Sequence, residues 1–81
     1  MPLTNNVIIK LNEITTMVED KSKISEHEVE EIKIIFRELV KKNERYDLDE
    51  IEFWFENEGS WKVKESRVRI TNLANYVQDK Y

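Results

Sequence analysis

The chain has 81 residues, with 13 basic and 17 acidic side chains, one histidine and no cysteine. So short a chain has room for one small core, and residues 1–81 are read as a single domain held by packing, helix propensity, ion pairs or a partner. The missing cysteines exclude disulfides and thiolate zinc sites, and a net charge of −4 excludes a surface that is wholly a nucleic-acid footprint.

Gly59 is the only glycine and Pro2 the only proline, and a chain with so few breakers is most simply helical. The expected fold is all-α, a small bundle of three to four helices. The first helix runs from about Asn6 to Asp20: Val7, Leu11, Ile14 and Val18 recur at helical spacing, and Thr4 or Asn5 caps its start. Lys21–Ile24 is a connector. Ser25 followed by Glu28 is a capping-box pattern opening a second helix to about Asn43, with Val29, Ile32, Phe36, Leu39 and Val40 as its apolar stripe and Ile35 at the edge. Lys41 and Lys42 suit its negative C-terminal end.

Asp47 caps a third helix over Leu48–Asn57, where Leu48, Ile51, Trp54 and Phe55 share a face and Gly59 provides a left-handed stop. The last segment has two readings. As a helix from about Glu65 to Lys80, it aligns Ile70, Leu73, Ala74, Val77 and Tyr81, leaving Val68 off the stripe and Trp61 outside the helix. As a hairpin turning at Glu65–Ser66, it pairs Val63 with Val68 and Trp61 with Ile70, which would make an α+β, winged-helix-like domain with its wing in 60–70. Glu-Ser is a poor two-residue turn, so the helix is favoured.

Residues 46–69 hold most of the candidates for function. Tyr46, Phe53, Trp54, Phe55 and Trp61 are interleaved with acids; residues 44–58 carry seven acids against Arg45, and residues 62–69 then carry Lys62, Lys64, Arg67 and Arg69 against Glu65. Rings beside opposed charge runs suggest a contact surface, and such a dipole steers association with a charged partner. Tyr46, Trp54 and Phe55 are assigned to the core. Phe53 lies about 200° around the third helix from Ile51, and Ile9 about 200° from Val7 around the first. Ile34 lies opposite the stripe of the second helix. Scattered surface hydrophobics explain such residues blandly. As contact points for a partner they make Phe53 the leading anchor, joined by Trp61, Ile34 and Ile9.

The basic run reads either as a solvated face offsetting the acidic third helix or as a contact for phosphate or an acidic partner. The would-be recognition helix Leu48–Asn57 is acidic and would be repelled by duplex phosphates, so protein docking ranks above DNA reading. Glu26, Glu28, Glu30 and Glu31 lack the spacing of a calcium loop, and His27 is a lone histidine at a helix start. Ser22, Ser25, Ser60 and Ser66 sit in no nucleophile motif, and one glycine cannot build a phosphate loop. No catalytic, cofactor-binding or metal-binding residue is assigned, and the protein is read as a non-enzyme.

Charged residues make up 37% of the chain, isoleucine is favoured, and Ala74 is the only alanine. That profile fits a thermophile, where ion-pair networks help most, although seven asparagines pull against it. In size and composition the whole chain resembles the small, cysteine-free, Lys/Glu/Ile-rich proteins of thermophilic crenarchaea, among them small accessory subunits of the B-family DNA polymerase holoenzyme. The resemblance involves no motif, so it carries over no functional residue. It implies service in a DNA replication or other nucleic-acid machine, with nucleic acid reached through a larger protein.

The leading expectation is therefore an accessory or adaptor subunit bound to a larger protein. A nucleic-acid module using residues 62–69 and a self-associating homodimer are the alternatives. No apolar run reaches membrane-spanning length and no cleavable signal pattern is present, so the expected location is cytoplasmic.

Overall fold

The computed structural model describes residues 2–18 and 23–81. It contains four helices: α1 (Asn5–Val18), α2 (Glu26–Lys41), α3 (Leu48–Glu58) and α4 (Trp61–Lys80). There is no strand among the described residues. The fold is a small helical bundle, and the hairpin and winged-helix alternative for 60–70 is corrected: from Trp61 onward that segment is continuous helix.

Local chemistry fixes the helix starts. Thr4 accepts from the Val7 amide at its hydroxyl (3.3 Å) and from the Ile8 amide at its carbonyl (3.0 Å). Ser25 and Glu28 form the reciprocal capping box, with the Ser25 amide donating to Glu28 Oε1 at 2.8 Å and the Glu28 amide to Ser25 Oγ at 3.2 Å. Asp47 Oδ1 accepts from the amides of Asp49 and Glu50. Ser60 Oγ accepts from the Val63 amide at 3.4 Å, so α4 starts at Trp61 rather than near Glu65. This cap lacks a Glu or Gln at its third helical position, the residue that makes a capping box conspicuous. The end expected for α1 at Asp20, and part of the Lys21–Ile24 connector, lie outside the described residues.

Two helix ends differ from expectation. α2 stops at Lys41, because Asn43 takes the left-handed conformation (φ 63°) and closes a Schellman motif. In it the Glu44 amide donates to Leu39 O at 2.8 Å and the Asn43 amide to Val40 O at 3.0 Å. Gly59, expected to be left-handed, is extended (φ −84°, ψ 156°). It is needed for close approach instead: a Cβ there would lie 2.5 Å from Phe55 O and 3.0 Å from Val63 Cγ1. Gly59 and Ser60, both extended, thus reverse the chain directly from α3 into α4.

The core follows the apolar stripes. Val7, Leu11, Ile14 and Val18 are buried, as are Val29, Ile32, Phe36, Leu39 and Val40, then Ile51 and Phe55, then Val63, Ile70, Ala74 and Val77. Leu48, Trp54, Leu73 and Ile35 are half-buried against this core. Tyr81, placed on the α4 stripe by its spacing, is 51% exposed because the helix ends before it. Cross-links fix the directions. Lys10 reaches Glu38, and Thr4 reaches Glu44, so α1 runs antiparallel to α2. Arg69 meets Ile24 O while Lys33 and Arg37 meet Tyr76 and Tyr81, so α2 and α4 run parallel. Tyr46 reaches Ala74 and Arg67 reaches Glu56, making α3 and α4 an antiparallel hairpin.

Candidate functional site

Helix α3 turns Ile51 and Phe55 fully inward, and the 100° step then turns Phe53 outward. Phe53 is 61% exposed. It does not stand alone. Phe53 and Trp54 face Leu3 and Ile8 across a surface groove of about 240 Å³ between α3 and the N-terminal part of α1. Trp54 is held edge-on against Phe55, with ring centroids 5.2 Å apart and planes at 83°. Glu50 and Glu58 line the same groove with carboxylates. No base among the described residues pairs with either of them, whereas Glu52 and Glu56 on the neighbouring face of α3 are taken by Arg67. The groove is thus apolar in its middle and anionic at its margin.

The other proposed anchors are exposed but do not join this site. Ile9 lines a smaller groove against Leu39 and Glu38, sharing no residue with the first. Ile34 and Trp61 line neither. Trp61 is 63% exposed at the first position of α4, with the Lys62 ammonium 5.5 Å from its ring centroid. Phe53, Ile9, Ile34 and Trp61 are therefore separate exposed residues on four helices, and Phe53 has the most apolar company, with Trp54, Leu3 and Ile8 in its groove against Leu39 beside Ile9.

The basic run is also dispersed. Because 62–69 is helix, Lys62 and Arg69 fall about 20° apart, and Lys64 and Arg67 fall on the opposite side. Arg67 Nε lies 3.1 Å from Glu56 Oε1 and 3.8 Å from Glu52 Oε1, and its Nη1 donates to Lys64 O. Arg69 donates to the Ile24 carbonyl at 3.4 Å, fastening the connector before α2. The four bases do not form one phosphate-facing row. Two of them hold the fold together, and Arg67 offsets the acids of α3.

A denser group of cations and rings lies where α2 meets the end of α4. Lys33 sits 5.2 Å and Lys80 5.4 Å from the Tyr76 ring centroid, and Arg37 lies 5.0 Å from that of Tyr81. Lys80 Nζ donates to Tyr76 Oη at 3.1 Å; this bond holds the exposed phenol below its ordinary pKa and the ammonium above its own. These contacts tie the last turns of α4 to α2 through cation–π attraction. The α2 residues are more than forty positions from the α4 rings they meet, so the parallel pairing of α2 and α4 is what brings the group together.

Three of the acids at the start of α2 have a local use. Glu28 completes the cap, Glu30 pairs with Lys33 at 3.4 Å, and Glu31 lies 2.7 Å from exposed His27. No group of three metal-ligating side chains converges among the described residues, and no helix of them is long and apolar enough to cross a membrane. Tyr46 is buried against Phe36, with ring centroids 5.3 Å apart, and its hydroxyl donates to Ala74 O at 2.8 Å. Burial holds this phenol well above its ordinary pKa, with Arg45 pulling weakly the other way.

No protein-family model, curated protein or solved structure matches the chain.

Proposed function

We propose that this protein is a non-enzymatic accessory subunit that docks on a larger protein through the groove between α1 and α3. The observation that carries the reading is Phe53, 61% exposed, set beside Trp54, Leu3 and Ile8 in one concavity. An aromatic ring kept in water beside other apolar side chains gains free energy when a partner covers it, and aromatic anchors dominate interface energetics. Size and composition are what support assigning the larger protein to a DNA replication or other nucleic-acid machine inside the cell. In this reading nucleic acid is reached through that protein, in keeping with the dispersal of Lys62, Lys64, Arg67 and Arg69 around α4.

The test is affinity purification of the tagged chain from its native source, followed by mass spectrometry, for the parent and Phe53→Ala. A larger protein should accompany the parent and be depleted at least several-fold with the variant, whose far-UV circular dichroism should be unchanged because the ring packs little of the core. Undiminished recovery with Phe53→Ala would remove the proposed anchor and the reading with it.

A further inference from the structure

The groove has a chemistry that specifies its occupant more closely. Three observations bear on it. First, one wall is the outer face of α3 and the other is Pro2 and Leu3 with Ile8 of α1, a helix that runs in the same direction as α3. A space along the open face of a helix is one into which another helix packs, ridge into groove. Second, the apolar residues come from both walls: Leu3 and Ile8 on one side, Phe53 and Trp54 on the other. An occupant therefore needs an apolar stripe, as an amphipathic helix has. Third, the charge at the margin has one sign. Glu50 and Glu58 are without a basic partner among the described residues, and they stand eight residues apart in sequence on the same wall, about 12 Å along the helix. A helix laid along α3 with Lys or Arg side chains spaced by about that distance would meet both carboxylates.

Resting on the docking reading above, we infer that the α1/α3 groove receives a short basic amphipathic helix of the partner. Its apolar stripe covers Phe53 and Trp54, and its Lys or Arg side chains pair with Glu50 and Glu58. α3 has 11 residues and is about 16 Å long, so about three turns of partner helix span it. A second copy of this chain is a poorer occupant. Lys10, the base that α1 carries, is already engaged with Glu13 and Glu38. Arg67, the base of α4 that reaches α3, is likewise spent on Glu52 and Glu56.

Two synthetic helical peptides of about three turns serve as probes: one with a leucine stripe flanked by lysines, the other with the same stripe flanked by glutamates. Binding is followed by amide chemical shifts of the full-length protein. The lysine peptide should shift amides around Leu3, Ile8, Phe53 and Trp54 and should weaken as salt rises. Phe53→Ala should weaken it about tenfold or more. Glu50→Gln with Glu58→Gln should weaken it several-fold and flatten the salt dependence. Equal binding of the glutamate peptide, shifts spread over the molecule, or indifference to these substitutions would overturn the inference. So would a dimer of the protein alone, by light scattering, that Phe53→Ala dissolves. A partner that depends on Phe53 in purification while the lysine peptide fails to bind would keep the docking reading and reject the basic helix. Loss of both dependences would reject both.

Discussion

Replacing Tyr46 with Phe isolates one buried hydrogen bond and one titrating group. The ring stays on Phe36, so no cavity opens; what goes is the 2.8 Å bond to Ala74 O. That carbonyl keeps its place in the helical ladder of α4, so it is not left unsatisfied. The net cost is that of one neutral hydrogen bond, about 1 kcal/mol, or roughly 4–8 °C of Tm in a domain of this size. The pH dependence follows from burial. The folded phenol titrates above its unfolded value of about 10, so its contribution is complete below that pH and is lost as pH rises from there toward the folded value. The slope approaches about 1.4 kcal/mol per pH unit for the one proton involved. Tyr76 and Lys80 shift in opposite directions, and both are exposed. Present in parent and variant alike, they subtract out of the difference. Urea denaturation followed by circular dichroism from neutral pH to pH 11 should show Tyr46→Phe less stable at neutrality and the two stability curves converging above pH 10. Parallel curves, or equal stability at neutral pH, would refute the role assigned to the buried hydroxyl.

Two further substitutions test the architecture. Gly59→Ala should destabilise by about 1–3 kcal/mol, because its methyl meets Phe55 O and Val63 without room to move. At an unobstructed extended position the same change would stabilise by about 0.4–1 kcal/mol, so the sign of the shift in urea midpoint decides. A double-mutant cycle of Arg67→Met with Glu56→Gln should return a coupling below about 1 kcal/mol that shrinks in salt, as for a partly exposed pair. A larger, salt-insensitive coupling would mean that this pair does more than balance charge.

Much of the bundle was legible in the chain. Period-3.6 stripes named the buried residues of α1 and α2, since one face of each helix does all the packing there. Ser25 with Glu28, and Asp47 with the acids after it, announced their helix starts because the capping chemistry is local. The misses have physical causes. Ser60 caps α4 without a companion acid, so the helix begins four residues before its expected start at Glu65 and sweeps the basic run around its circumference. Gly59 was read for its backbone freedom when its missing side chain was the point, and the left-handed residue was Asn43. For the site, the outward set of Phe53 followed from the 100° step. Its neighbours Leu3 and Ile8 are brought to it by tertiary packing that sequence periodicity does not encode. The Tyr76–Lys80–Lys33 group was invisible for the same reason.

α4 packs against α1, α2 and α3, whereas the other three are joined to one another chiefly through the α1–α2 pair. No subset of helices that omits α4 retains a closed core, so unfolding has no natural halfway point. The αα-hairpin of α3 and α4 can close locally, but the parallel docking of α2 on α4 must span the whole of α3. The last helix in the chain is thus the one on which the others wait: until it has formed, the stripes of α1 and α2 have only each other to cover them.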